Sequence, residues 1–340
     1  MGRRPTIVDI AKAAGVSKGA VSYALNGRPG VSAATRERIL AIADSMGWVP
    51  SSAARALSND RAGAVGMVAV REPELVATEP FFMSMVAGIE EVLARQELSL
   101  LLTIVHDIPA ELDTYKRWWA GRRIDGVLLS DLRTDDPRPD LCRELRIPAV
   151  VHGAQRAYPG VPGTRVDDHD DMIRAVHHLA ERGHHRIARV SGPRRLEHAA
   201  RRWRYFTEAC VTILGAQQPQ EEADYTASEG VVAARRLLDA AEPPTAIIFD
   251  NDLMAAASVA ELTTDGVRVP DDVAVLAWDD SPLCELVRPA VTAFSHDVTA
   301  EAVVTAELLL EHIETGRATD RWLAPRRLTV RPSTTPATPA

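Results

Sequence analysis

Only three of the 340 residues are cysteine, at positions 142, 210 and 284. Their odd number, wide spacing and lack of any CxxC pair argue against a disulfide framework and a cysteine-held zinc site, and suit a reducing cytosol. No stretch approaches the ~18 uninterrupted apolar residues of a membrane-spanning helix. The basic opening MGRRPTIVDI is not followed by the apolar run of a secretory signal, so export and membrane insertion are not expected. GxSxG, Walker and GxGxxG elements are missing, and no Ser, His and Asp are spaced as a defensible catalytic set. The expectation is therefore no catalytic residue, no metal and no cofactor.

What is present is length, apolar content and an uneven charge. With 340 residues and 46% hydrophobic composition, the chain exceeds one compact core, so two or three domains are expected. The formal net charge of −8 conceals a partition. Residues 1–62 hold nine Lys and Arg against four acids, a surplus of five positive charges, which leaves −13 on the remainder. A cationic head on an anionic body confines attraction for a polyanion to one place.

Within that head, Thr6 is a plausible N-cap with Asp9 three residues on, Ile7, Ile10, Ala11 and Ala14 share a face, and Gly15 stops the helix. A second helix begins at Ser17 and ends at Asn26-Gly27. Two short helices joined by a Gly-Val turn form a helix-turn-helix unit. A third, capped by Ser32, is expected to turn Ile39, Leu40, Ala43 and Met46 inward. Helix-turn-helix geometry also occurs as an ordinary bihelical corner, but the cationic head favours DNA, where the second helix enters the major groove and its first residues meet base edges. Those residues are Ser17, Lys18, Gly19, Ser22 and Tyr23. Lys18 can donate to guanine or to phosphate, the serines can take either role, and Gly19 permits close backbone approach.

Beyond Pro50 an alanine-rich link leads to the strand AVGMVAV. From there apolar strands alternate with amphipathic helices, the pattern of doubly wound parallel sheets, and the length suits two of them. The tail RPSTTPATPA is poor in apolar residues and reads as disordered.

The stretch from Thr6 to Ser58 resembles the reading head of the LacI/GalR family of bacterial repressors. Its V-S-x-x-x-V-S-x-x-L-N core falls on Val16, Ser17, Val21, Ser22, Leu25 and Asn26, and its P-x-x-x-A-x-x-L hinge on Pro50, Ala54 and Leu57. The resemblance continues through EPFF with GIEEVL, IDGVLLS, IPAVV, HLAERGHHRIARVSG, PTAIIFDNDLMA and VPDDVAVLAWDD. It implies an all-α helix-turn-helix head at 1–49, a hinge helix and linker at 50–62, and an α/β body at 63–330. The body would be two lobes similar to periplasmic sugar-binding proteins, with a disordered tail at 331–340. It also implies that Leu57 wedges into the minor groove with Arg55 on phosphate, whereas the plainer alternative packs Leu57 on the body. A helix of nine residues is marginal alone and would order only when two copies meet on DNA.

For function, the resemblance implies a sequence-specific transcriptional regulator, a repressor, working as a cytoplasmic homodimer on a double-stranded DNA operator. A small sugar-like effector between the lobes would control it, with no membrane partner. DNA-binding residues would be Thr6, Ser17, Lys18, Gly19, Ser22, Tyr23, Asn26, Arg55 and Leu57. Effector contacts would be Phe82, Arg202, Asn251, Asp252, Trp278 and Asp279, whose forks, acceptors and rings suit a polyhydroxylated ligand. The family commonly has Arg-x-x-Gly-aromatic where this chain has Arg202 to Phe206, so Tyr205 is expected to narrow the cleft. The tail offers no leucine heptad for a tetramer.

Two clusters compete for a metal reading. His177, His178, His184 and His185 with Glu181 have ligand density but fall on different faces. The run Asp167, Asp168, Asp170 and Asp171 stands where a helix starts, and capping suits it better. Two rival functions remain. A transport solute-binding protein shares the body fold but lacks the basic head, and an enzyme finds support only in the carboxylates.

Overall fold

A computed structural model describes residues 5–48, 61–71 and 73–335. It divides into two units, Met1–Gly63 and Ala64–Ala340. Among the described residues the first holds three helices, α1 (Ile7–Ala14), α2 (Lys18–Leu25) and α3 (Ala33–Ser45). Thr6 starts α1 by donating its backbone N–H and its hydroxyl to Asp9 Oδ2, at 2.8 and 2.6 Å. Gly15 ends it with φ +64°, a left-handed turn that glycine adopts without strain. Ile10, Val21 and Ile39 are fully buried and draw the three helices together. Leu40 departs from expectation and is 45% exposed. The inward face of α3 is Ile39, Ile42, Ala43 and Met46, and Leu40 stands about 100° round the helix from Ile39.

The second unit contains two six-stranded sheets. Its first segment runs β1 (Ala64–Val70), α4 (Pro73–Thr78), α5 (Pro80–Arg95), β2 (Ser99–Val105), α6 (Ile108–Ala120), β3 (Gly126–Leu129), α7 (Arg138–Leu145), β4 (Ala149–Ala154) and β5 (Gly163–Arg165). Next come α8 (Asp168–Ala180), β6 (Ile187–Ser191), α9 (Glu197–Leu214), β7 (Gln220–Glu222), α10 (Ala227–Leu238), β8 (Ala246–Phe249), α11 (Asp252–Thr264), β9 (Ala274–Ala277), α12 (Pro282–Leu286) and β10 (Thr292–Ser295). The end is α13 (Val298–Thr315), β11 (Arg321–Trp322), β12 (Arg327–Thr329) and a 3₁₀ turn, Pro332–Thr334.

The N-lobe sheet has the order β11-β5-β4-β3-β1-β2 and the C-lobe sheet β12-β10-β9-β8-β6-β7. All named pairings are parallel except β10 with β12. Each sheet is covered on both faces by helices, which is why its strands read as continuous apolar runs. Helix α13 returns to the N-lobe and lies tight on α5. A Cβ at Gly88 would come 2.2 Å from the Thr299 carbonyl oxygen, so only glycine fits there. The chain passes between the lobes three times, beside Val166, His296 and Arg326.

The C-terminal segment corrects the expectation of disorder over 331–340, because residues 331–335 are folded and 336–340 lie outside the described residues. Ser333 Oγ donates to the Val275 carbonyl at 2.6 Å and accepts from the Thr292 N–H at 2.8 Å. Thr334 Oγ1 pairs with Thr292 Oγ1 at 2.7 Å and His178 Nε2 at 2.9 Å. Short hydroxyl side chains here satisfy buried polar groups, a kind of order that low apolar content does not signal.

Candidate functional site

Two sites emerge, one in each unit. In the first, Ser17 caps α2 by accepting the Ala20 N–H at 3.2 Å. Lys18 and Gly19 follow in the exposed first turn, and Tyr23 and Asn26 stand exposed further along, with Ser22 half-buried. Val21 and Ala24 face inward, so helical spacing alone sorts the polar residues onto one outer face. Asn26 Nδ2 donates to the Ser22 carbonyl at 2.9 Å and closes the helix. Thr6 is occupied in starting α1. Arg55, Leu57 and the hinge from 50 to 60 lie outside the described residues.

In the second unit a cavity of about 510 Å³ lies between the lobes. Its walls include residues that follow the strand C-termini: Arg71 after β1, Asp131 after β3, Asp250 after β8, Asp279 after β9 and His296 after β10. Such sites form there because the chain leaves each sheet at its carboxyl edge and opens a crevice.

Of the six effector residues expected, three line this cavity: Arg202, Asn251 and Asp279. Arg202 gives its Nε to Asp168 Oδ2 at 2.9 Å, which leaves its Nη groups for a ligand. Asn251 is committed on both sides, accepting the Met254 N–H at 2.9 Å and donating to the Tyr225 carbonyl at 3.1 Å. Asp279 Oδ1 meets His296 Nε2 at 3.1 Å, and His296 Nδ1 meets Glu301 Oε1 at 2.9 Å. Burial disfavours a charged imidazole, but the Asp279 and Glu301 carboxylates outweigh it and push His296 up to about 9.

The other three do not line it. Phe82 is wholly buried in the N-lobe core with the Arg71 guanidinium over its ring, and its neighbour Phe81 faces the cavity instead. Trp278 is also fully buried and backs the floor, with the guanidinium carbons of Arg202 and Arg326 at 4.6 and 5.7 Å from its ring centre. Asp252 accepts the Ser281 N–H at 3.1 Å and borders a separate crevice. Tyr205 does not narrow the cleft. It packs on the outer core of the C-lobe against His169, ring centres 5.0 Å apart.

Sequence reading missed Arg71, Asp131, His198, Tyr225, Asp250, His296 and Arg326. The available signal was position for four of them: Arg71, Asp250 and His296 directly follow an apolar strand, and Asp131 comes one residue later. Arg71 donates to Asp131 at 2.6 Å and also pairs with Glu79. Burial works against ionisation of Asp131, yet Arg71 holds its carboxyl down at about 2. Tyr225 takes φ +74°, and its hydroxyl meets His198 Nε2 at 2.8 Å. A Cβ at Gly192 would fall 2.0 Å from the Tyr225 ring, so this placement requires glycine.

The two clusters weighed for a metal serve other ends. Asp167 caps α8, accepting from the backbone of His169 and Asp170, while Asp168 and Asp171 receive Arg326 at 2.7 and 3.0 Å. His178 is bound to Thr334, His184 to Thr245, and His177 pairs with Glu181.

A family model described as bacterial regulatory proteins, lacI family, matches residues 6–51. One described as a periplasmic binding protein-like domain matches 176–334. The HTH-type transcriptional regulator CelR of Thermobifida fusca is 34% identical over 325 residues, 94% of each chain. The chain belongs to the LacI family. It is a DNA-binding transcriptional regulator and not an enzyme. The LacI-family repressor PurR of Vibrio atlanticus (strain LGP32) is 31% identical over 324 residues, 91% of this chain and 92% of that one. The solved complex of transcriptional regulator CelR with cellobiose has a TM-score of 0.73 at 31% identity, over 97% of this chain and 100% of that one.

Proposed function

We propose that this LacI-family regulator is a homodimeric repressor whose operator affinity is set by a neutral, sugar-like effector held between the lobes. The observation that carries the effector reading is the make-up of the cavity. Most of its arginines stand beside acids, Arg71 with Glu79 and Asp131, Arg138 with Asp136, Arg202 and Arg326 with Asp168, so most of the wall presents matched donors and acceptors rather than one sign of charge. Phe81 and Tyr225 add ring faces. Such a lining suits a polyol, and the CelR relative has been solved with cellobiose.

Support for the dimer comes from the N-lobe. Strand β2 is the sheet edge and exposes Leu102 and Ile104, while α5 exposes Met83, at 37, 41 and 52%. An apolar edge strand is a surface that proteins normally cover. Paired heads would read a pseudo-palindromic operator through Ser17, Lys18, Gly19, Ser22, Tyr23 and Asn26, with Thr6 and Arg55 on phosphate and Leu57 as the wedge, at the nucleoid in the cytoplasm. Effector binding would alter how the two hinges face each other, with a coupling of about 1–3 kcal/mol.

The test is footprinting on DNA flanking the protein's own gene, with and without cellobiose and other neutral saccharides. A salt-sensitive, two-fold-symmetric footprint that one of them shifts is the expected result. Leu57→Ala should weaken the footprint and leave saccharide binding unchanged. Protection that no saccharide alters would reject the effector reading.

A further inference from the structure

Strand β6 is buried along its whole length, yet the middle of its five side chains is a guanidinium, Arg189, with no exposed surface. A buried ion pair is seldom the most stable filling for a core, and apolar residues of the same volume do as well or better. What Arg189 holds is a carboxylate on the cavity wall. Its Nε donates to Asp250 Oδ1 at 2.8 Å and its Nη2 to Asp250 Oδ2 at 2.6 Å, a two-pronged grip, and the Gly192 N–H adds a third bond to Oδ2 at 2.9 Å. The remaining prong, Nη1, donates to Gln220 Oε1 at 2.9 Å. Gln220 Nε2 in turn donates to Thr207 Oγ1 at 3.0 Å and the Trp203 carbonyl at 3.2 Å. Strands β6, β7 and β8 and helix α9 are thereby wired to one carboxylate.

Asp250 lines the cavity beside Asn251, and its Oδ1 has a single partner, so an acceptor position is unused. We propose that Asp250 is a specificity-determining residue: it accepts a hydrogen bond from a hydroxyl or amine of the effector and turns away any ligand that presents a carboxylate or phosphate at that point. Arg189 is the positioning residue that fixes the direction of the acceptor. This rests on the reading of the cavity as a saccharide site and adds the chemical class. Neutral or amino sugars are accepted, and sugar acids and sugar phosphates are refused. Asn251 cannot supply the discrimination, because its amide is neutral and would not repel an anion, and its oxygen and nitrogen each already hold a backbone partner.

The experiment is calorimetric titration of the full-length protein with neutral saccharides (glucose, cellobiose, maltose), glucosamine, and acidic counterparts (gluconate, glucuronate, cellobionate, glucose 6-phosphate). The tightest ligand is expected to be neutral or an amine, with its acidic counterpart at least tenfold weaker. Asp250→Asn should weaken the tightest ligand by about 10- to 100-fold, the range for a hydrogen bond to a charged group, and narrow the preference against acids. Because this variant leaves Arg189 without its partner, the double variant Arg189→Leu/Asp250→Ala is measured beside it. Removal of both charges should preserve the melting temperature within a few degrees while affinity falls by the same factor. An acidic ligand bound as tightly as its neutral counterpart, or affinity within twofold of the parent in both variants, overturns the proposal while the saccharide site stands. Failure of every saccharide to bind overturns the saccharide reading, and the proposal with it.

Discussion

Glu197, at the start of α9 in the C-lobe, accepts the Nε of Arg156 from the N-lobe at 3.0 Å, and its other carboxylate oxygen takes the Tyr158 hydroxyl. Backbone bonds flank this contact, Glu197 N–H to the Leu132 carbonyl at 2.7 Å and Thr134 N–H to the Arg195 carbonyl at 3.2 Å. One rim of the cavity is thus latched without a ligand. Arg156 is half exposed, so its share is small, and the half-buried Tyr158 bond carries most of the contact. Glu197→Ala should remove about 2 kcal/mol from closure, roughly a 30-fold shift towards open lobes. Small-angle scattering of the ligand-free variant should show a larger radius of gyration. An unchanged radius would mean that the latch does not govern closure.

His296 predicts a pH dependence. Its folded pKa, about 9, lies above the ordinary 6.5, so the protonated ring stabilises the fold. That stabilisation is fully present below pH 6.5 and is lost as pH rises through 9, with a slope approaching 1.4 kcal/mol per pH unit. Melting temperature should therefore fall between pH 6.5 and 9 in the parent, and the fall should be shallower in His296→Gln. Parallel profiles for the two proteins would remove His296 as the cause.

The alternation of apolar strands and amphipathic helices makes the two-lobed body legible from the amino-acid order alone, because a strand buried on both faces has no other way to be written. The head is legible for a different reason: caps such as Ser17 and Ser32 act on residues three positions away. The cavity is less so. Phe81 and Phe82 are adjacent and identical, and only the packing of α5 on α13 and the sheet decides which one reaches the cavity. Trp278 reads as a stacking ring, yet it follows β9 into the core and serves Arg202 and Arg326 from behind. The Arg189–Asp250 pair joins residues 61 positions apart, a partnership that no local spacing encodes.

The folded tail yields a stability prediction. Ser333 Oγ satisfies two buried backbone groups at once, the Thr292 N–H and the Val275 carbonyl. Ser333→Ala leaves both unmet and should cost about 1–3 kcal/mol, visible as a lower urea midpoint with an unchanged slope. Thr335→Ala, which loses a single bond at 3.2 Å to the Arg331 carbonyl, should cost less. Equal, negligible effects would show that water replaces these bonds at no penalty.

Gly19 and Lys18 separate folding from reading in the head. A Cβ at Gly19 would have Ser17 Oγ as its nearest neighbour, at an ordinary 3.8 Å, so nothing within the head forbids alanine. Alanine favours a helix over glycine by about 0.5–1 kcal/mol, so Gly19→Ala should raise the melting temperature of the head. If α2 lies in the major groove with its first turn against the base edges, the same methyl group must collide with DNA. Gly19→Ala should then bind the operator at least tenfold more weakly despite its greater stability. Lys18→Ala removes an exposed cation, and its salt dependence reports which contact is lost. A phosphate contact lowers the slope of log K against log salt by about one for all sequences, whereas a guanine contact costs about 1–3 kcal/mol at one base pair. A stable Gly19→Ala protein with full operator affinity would place the first turn of α2 away from the groove.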